Sequence, residues 1–467
     1  MSVATGSSPD SATEQTPEQQ ARRRRTVIWV VGLATLGLIF DGYDLVVYGT
    51  VVPLFLASPD EIGQVTPAVA GALGSYALLG VLVGALLAGT VADIVGRRKI
   101  MLIAYAWFSV GMGVTALTSS VGAFGLLRFL TGIGVGALVA TTGALVAEYA
   151  PPGKKNLANA ITYSGVPIGS LLAALLAILL LGQIGWRGMF WIGALPLVTL
   201  LPLAFFKMPE SPSWLASRGR MEEARKISER TGVPIMTASG TTRGDAGTPV
   251  RRERAGFAGL FGREYWFPTV VLGLMSATGL ILVYMLNTWL PELMGRAGYS
   301  TQGALSFLLV LNGGAIVSAL LASRLADRFG PKLVVAAFFA LGAVGLALVT
   351  VQAPLGLLLL FIAIVGAGTS GTQILIFGFV ANYYRANVRG AGVAWCAGFG
   401  RLGGVAGPVV GGLLVAAGLA LESIFYVLTA LGIFGALLTL LVPVARRGAA
   451  RAVPVEPSVA PQPSAGR

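Results

Sequence analysis

Long apolar runs, broken at intervals by short clusters of Gly, Pro and charged residues, dominate the 467-residue chain. Most approach or exceed the roughly 20 residues a helix needs to cross about 30 Å of hydrocarbon. Twelve runs can be placed, at 27–56, 66–91, 99–118, 121–147, 157–182, 187–206, 267–291, 301–323, 333–352, 355–381, 390–416 and 421–444. They fall into two blocks of six around a polar stretch. The pattern predicts an all-α membrane protein of twelve transmembrane helices in two six-helix bundles, residues 26–207 and 267–445. A disordered leader (1–25), a linker (208–266) and a disordered Pro/Ala-rich tail (446–467) complete the chain. Within the linker, Ser213 to Arg230 is amphipathic and predicts a surface helix, followed by a Gly/Thr/Arg-rich stretch expected to be disordered.

The two blocks carry a repeat, which makes the bundles pseudo-symmetric. Residues 85–96 (ALLAGTVADIVG) match 319–330 (ALLASRLADRFG) at seven of twelve positions, each copy ending the second helix of its block and preceding basic residues. Duplicated halves of this kind can rock against each other around a central site.

Composition narrows the function. With 55% hydrophobic and 11% charged residues and a mean hydropathy of +0.79, the chain cannot be a water-soluble enzyme. Its 64 glycines suit helices that pack closely in lipid. One cysteine, Cys396, and no histidine exclude disulfide scaffolding, a Ser-His-Asp triad and the usual zinc sites, so no metal or cofactor is expected. No phosphate-binding G-x-x-x-x-G-K-[S/T] loop occurs, which disfavours ATP-driven transport. The net charge of +13 is topological rather than a nucleic-acid footprint. If the amino terminus is cytoplasmic, only Arg187 and Arg296 fall in external loops and Arg128 and Arg401 within spans, which leaves 29 of the 33 basic residues inside. The first run is too long for a cleaved signal peptide and contains Asp41 and Asp44.

An ionised side chain near the bilayer centre costs at least about 2.5–3.5 kcal/mol, so each intramembrane charge is a functional candidate. Asp41 and Asp44 lie about 15 residues into the first span and share a helix face, with Tyr48 one turn beyond. Two carboxylates so close in a dry setting resist double ionisation, so one of them can hold a proton. Without histidine, proton coupling must run through carboxyls, and these two are the best placed. The alternative is that one of them only fixes packing through hydrogen bonds.

Several segments resemble the major facilitator superfamily. They are Gly89-Thr-Val-Ala-Asp93-Ile-Val-Gly96-Arg97-Arg98-Lys99 between spans 2 and 3, Arg128-xxx-Gly132-x-Gly134-x-Gly136 in span 4, Pro209-Glu210-Ser211-Pro212-Ser213-Trp214-Leu215 after span 6, and Asn287-Thr288-Trp289-Leu290-Pro291 in span 7. Asp41-Gly42-Tyr43-Asp44, with Gly398-x-Gly400-Arg401 in span 11, is similar to the aromatic acid:proton symporter branch. That resemblance implies import of a benzoate, 4-hydroxybenzoate or protocatechuate type of acid by alternating access, across a bacterial inner membrane, by a monomer with both termini cytoplasmic. It also implies a proton-transfer role for Arg128 beside the two aspartates, a salt bridge to either being the plainer reading. Asp93, Arg97, Glu148, Asp327 and Arg389 become an intracellular gate, where the alternative is solvated loop charge.

A guanidinium fork suits a carboxylate, and Arg401 sits among small neighbours that leave room beside it. It is expected either to bind the substrate carboxylate or to pair with an acid across the two halves. The ring requires apolar and aromatic walls with a few polar groups, for which Tyr43, Tyr48, Tyr284, Asn287, Thr288, Gln373, Phe377, Trp395 and Phe399 are candidates. Each aromatic could equally be packing. Gly165-Val-Pro167-Ile-Gly169 and Gly407-Pro408-Val-Val-Gly411-Gly412 mark kinks in corresponding spans, and the absence of the drug-antiporter pattern from span 5 tilts the reading toward import. The rival functions are symport of a sugar, polyol or other organic acid, efflux by exchange, and a membrane sensor that binds aromatic acids without moving them.

Overall fold

The computed structural model describes residues 17–151, 154–235 and 256–443. Helices account for almost all of it. The first half contains α1 (Pro17–Ala57), α2 (Pro67–Val95), α3 (Arg97–Thr115), α4 (Val121–Tyr149), α5 (Lys155–Tyr163), α6 (Gly165–Ala194) and α7 (Leu200–Lys207). Short helices α8 (Pro212–Ser217), α9 (Met221–Thr231) and α10 (Phe257–Leu260) follow. The second half contains α11 (Trp266–Arg296), α12 (Thr301–Phe329), α13 (Pro331–Leu348), α14 (Leu355–Gly366), α15 (Thr372–Tyr383), α16 (Ala386–Ala416) and α17 (Leu421–Leu441).

Ten stretches of the described residues are long and apolar enough to cross a membrane. Two further crossings bring the number to twelve. Leu157–Lys207 turns sharply at Gly185, whose φ of 64° and ψ of −178° only glycine adopts readily, and so makes two passes. The 19-residue α3, apolar beyond its basic first turn, supplies the other. Where one span was expected at 355–381, α14 and α15 are joined by a π-helical turn, Ala367–Gly371, within a single crossing.

The observed ends differ from the hydropathy runs in two informative places. At 41 residues α1 is about 60 Å long, twice the hydrocarbon thickness, so its Arg22–Arg25 end stands clear of lipid. Residues 17–25, expected as part of a disordered leader, are therefore helix. The expected surface helix at 213–230 is instead two, because Gly219 takes a φ of 73° and turns the chain between α8 and α9. The rest of the expected leader, the linker from 236 to 255 and the tail from 444 lie outside the described residues.

Side chains set the helix starts. Ser120, Ser211 and Ser300 accept the Ala123, Trp214 and Gly303 amides at α4, α8 and α12, and Thr66 does the same for Val69 at α2. The halves meet through three helix pairs, α1 with α11, α2 with α16, and α6 with α12. A pseudo-twofold exchange of the halves turns the last two pairs into each other, as a duplicated chain requires. One end of the bundle carries Arg22–Arg25, Arg97–Lys99 and α8–α9, and is referred to below as the basic face.

Candidate functional site

Helix α1 is held in rotation by backbone packing. A Cβ on Gly42 would collide with the Val166 carbonyl of α6, and one on Gly169 with the Ile39 carbonyl of α1, so two glycines let these helices touch. With Gly42 committed to α6, the neighbouring edge carrying Asp41 and Asp44 turns inward. Both aspartates are buried.

The two carboxylates have different partners. Asp44 Oδ1 accepts from Arg128 Nη1 in an ion pair where neither side chain is more than 3% exposed. The Arg128 guanidinium also lies 5.5 Å from the Tyr48 ring centre and 5.8 Å from that of Phe190, an aromatic lining that shuts water out. Asp41 has no hydrogen-bond or ion-pair partner among the described residues, and the charges acting on it are those of Asp44 and, from the other half, Arg401.

Arg401 is partly buried and reaches across the halves, but to a carbonyl: Nη1 donates to Val81 O of α2 at 3.2 Å. The expected alternative of an acidic partner across the halves is not realised among the described residues. Charges of Asp41 and Arg401 both act on Tyr284 of α11 and on Tyr163 of α5. Four groups from four helices thus lie within electrostatic reach of one another.

Other expected residues are committed elsewhere. The Tyr43 hydroxyl donates to Met189 O at 2.8 Å and that of Tyr48 to Ala70 O at 2.6 Å, so both tie helices inside the first bundle. Gln373 Nε2 donates to Ser276 Oγ at 3.2 Å, which in turn donates to Cys396 O at 3.0 Å, joining α15, α11 and α16 within the second bundle. Trp395 donates to Thr269 O at 2.9 Å and stacks on Phe399 against Gly273 and Phe261, a packing arrangement. Asn287 accepts from Asn312 Nδ2 at 3.0 Å. Three of these partners, Ser276, Asn312 and Tyr163, were not legible as site residues, since Ser, Asn and Tyr in an apolar run carry no mark of depth or direction.

The expected gate assembles only in its first half. Arg97 pairs with Glu148, joining the start of α3 to the end of α4, and the second Glu148 oxygen is buried without a partner. The side chains of Asp327 and Arg389 are exposed and make no ion pair or hydrogen bond among the described residues. The side chain of Asp93 lies outside the described residues. An unanticipated member is Glu210, whose carboxylate accepts from the Arg98 amide at 3.0 Å and from Ser211 N at 3.1 Å, anion against helix N-terminus.

Away from the basic face the halves close on each other. Gly49 of α1 abuts the Asn287 carbonyl of α11, Gly71 of α2 abuts Pro408 and Gly412 of α16, and Ser75 Oγ donates to Val405 O at 2.6 Å. A side chain at Gly49 or Gly71 would hold the helices apart.

Comparison with known proteins agrees with this architecture. The family model of the Major Facilitator Superfamily matches residues 34–319 and 310–465. The chain is 35% identical to the benzoate transport protein of Acinetobacter baylyi over 399 residues, 83% of each chain. It is 34% identical to the gentisate transporter of Corynebacterium glutamicum, covering 83% of this chain and 81% of that one, and 32% identical to the gallate transporter of Pseudomonas putida, covering 85% and 88%. Among solved structures, a D-xylose-proton symporter superposes with a TM-score of 0.71 at 20% identity over 90% of this chain and 99% of that one. The inward-open xylose transporter XylE from E. coli does so with 0.70 at 20% identity over 91% and 98%. A multi-pass helical protein with duplicated halves and these relatives is a transporter and not an enzyme, and the chain belongs to the major facilitator superfamily, alongside named aromatic-acid transporters.

Proposed function

We propose that the protein imports an aromatic carboxylate with protons, by alternating access, across a bacterial inner membrane with both termini in the cytoplasm. One observation carries the reading: among the described residues an acid without a cation bonded to it, Asp41, and a cation without a carboxylate, Arg401, lie within electrostatic reach of each other from opposite halves. Relatives that carry benzoate, gentisate and gallate support the substrate class, and the excess of Lys and Arg on the basic face supports the orientation.

The division of labour follows from the pairings. A proton added to Asp44 would cancel the charge that offsets buried Arg128, whereas one added to Asp41 disrupts no ion pair, so Asp41 is the carrier and Asp44 the fixed partner. Arg401 binds the substrate carboxylate by its fork and exchanges the Val81 carbonyl for it. The glycine seal between α1 and α11 and between α2 and α16 corresponds to a state open toward the basic face. Arg97, Glu148 and Glu210 latch and release the first half there. An anion moved inward alone works against about 2.3 kcal/mol per 100 mV; one proton cancels that penalty and a second harnesses the potential.

Proteoliposomes with an imposed pH gradient test the reading directly. Radiolabelled benzoate, gentisate and 4-hydroxybenzoate should accumulate, while glucose and shikimate should not. Asp41→Asn should retain substrate binding and lose gradient-driven accumulation; full concentrative uptake by that variant would reject the coupling assignment.

A further inference from the structure

We infer that Tyr163, on α5, is the wall of the substrate site that stacks on the aromatic ring and so selects flat rings over saturated ones. This deepens the aromatic-acid reading and rests on it.

The chain around Tyr163 explains its direction. Helix α5 ends there and α6 follows through Ser164, which keeps helical dihedrals (φ −64°, ψ −15°), starting with Gly165 packed on Thr35 and Ile39 of α1. The packing of Gly165 fixes Tyr163 alongside α1, on the basic-face side of Asp41. From that place the phenol reaches α4: its hydroxyl lies against Gly143 and donates to Val139 O at 3.3 Å, a long bond. Positions 128, 139 and 143 share one face of α4, since 11 and 15 residues are close to whole numbers of turns. That is the face through which Arg128 meets Asp44 in the centre. Tyr163 therefore lies over the central face of the first bundle, not on its lipid side.

Its exposure is unlike that of most tyrosines in the bundle. Tyr43, Tyr48, Tyr105 and Tyr149 of the same bundle are at most 2% exposed; Tyr76 is 43% exposed beside Gly125, and Tyr163 is 40% exposed although it lies over the central face of α4. The charges of Arg401 and Asp41 reach this exposed ring, and they reach Tyr284 of the second half as well. A carboxylate seated on Arg401 would place its ring between the two phenols. Offset stacking rewards a planar π-system and not a puckered ring of equal charge.

Purified protein reads this out by displacement of radiolabelled benzoate with unlabelled benzoate and with cyclohexanecarboxylate, which keeps the carboxylate and loses the flat ring. Wild type and Tyr163→Phe should prefer benzoate by about tenfold or more, and Tyr163→Ala should reduce the preference to about twofold. Tyr163→Leu, which retains bulk without a π face, should behave like alanine and serves if the smaller side chain compromises folding, as checked by size-exclusion chromatography. A tenfold preference that survives in both Tyr163→Ala and Tyr163→Leu overturns the inference, as does a loss in Tyr163→Phe equal to that in alanine. Wild type that binds both acids equally overturns it while leaving aromatic-acid transport standing; wild type that binds neither overturns both.

Discussion

The two copies of the repeated turn have the same backbone and different surroundings. Gly96 (φ 106°, ψ 145°) and Gly330 (φ 87°, ψ 143°) each close the preceding helix by donating a backbone N–H, to Ala92 O at 3.1 Å and Ala326 O at 3.0 Å. Behind Gly96 sits the Glu210 carboxylate, Arg97 pairs with Glu148, and Arg98 Nη2 donates to Phe205 O at 2.6 Å. Behind Gly330 nothing lies within 4 Å, and the described tie of that turn is Lys332 Nζ to Val442 O at 2.6 Å. The repeat encodes the bend; the anchorage of the first copy comes from the segment after α7, whereas after α17 the described residues end at 443 and contribute the Val442 carbonyl. A latched turn in one half and a looser one in the other is the asymmetry a rocking bundle can use.

The sharpest test of that asymmetry lies at the buried charges. Asp44→Asn strands Arg128 in an aromatic interior, and breaking such a pair from one side costs about 3–5 kcal/mol. Arg401→Gln, by contrast, breaks no direct ion pair and gives up a hydrogen bond to a carbonyl and a more distant attraction to Asp41, so it should cost about 1 kcal/mol or less while removing substrate binding. Thermal unfolding in detergent beside a binding assay separates the two. Equal destabilisation by both substitutions would erase the distinction between a structural and a ligand-facing arginine.

Much of this was readable from the chain, and the limit has a physical form. Hydropathy gave twelve crossings, and residue type plus depth singled out Asp41, Asp44, Arg128 and Arg401 as the charges inside them. What depth cannot give is azimuth. Whether Gln373 faces the centre or Ser276 depends on how α11, α15 and α16 nest, and that depends on glycines such as Gly400, against which Ser276 packs. Trp395 and Phe399, expected in the site, stack on each other because Gly273 leaves room for them. Tyr163 was overlooked for the converse reason: an aromatic near the start of an apolar run reads as packing until the packing of Gly165 against α1 fixes which way it turns.

A second, smaller contrast compares the turns themselves. Alanine at either glycine forces a side chain into a φ region that costs about 1–3 kcal/mol. Gly96→Ala must also displace the Glu210 carboxylate and crowd Trp214, so it should be the more destabilising of the two and should slow transport, whereas Gly330→Ala pays for backbone strain alone. Paired unfolding curves and uptake rates check the order. Equal losses would mean that Glu210 is a bystander and that the first turn is no more latched than the second.

The smallest expected effect concerns the opposite end of the first half, where Glu61 binds the turn at Gly185. Its Oε2 accepts from Trp186 Nε1 and Arg187 Nη1, both at 2.8 Å, while Arg187 Nη2 reaches Glu61 O at 3.2 Å and Thr118 O at 3.3 Å. The Trp186 bond first, and Arg187 after it, hold the Glu61 carboxyl below the usual glutamate range against the opposing pull of burial. A carboxyl depressed in the folded state contributes stability that is full above its unfolded value, about 4.3, and is lost as pH falls from there through the depressed value. Among the described residues of the second half the ion pair is Glu292 with Arg296, a partly exposed i,i+4 pair within α11 at 2.7 Å, worth about 0.3–0.5 kcal/mol. Glu61→Gln should therefore flatten the acid side of the unfolding-temperature profile below about pH 4.3 slightly but measurably, and Glu292→Gln should leave it nearly unchanged. Because Glu61 is partly solvated, the shift should be small, and identical acid limbs for wild type and Glu61→Gln would show that this clamp adds no pH-dependent stability to the turn at Gly185.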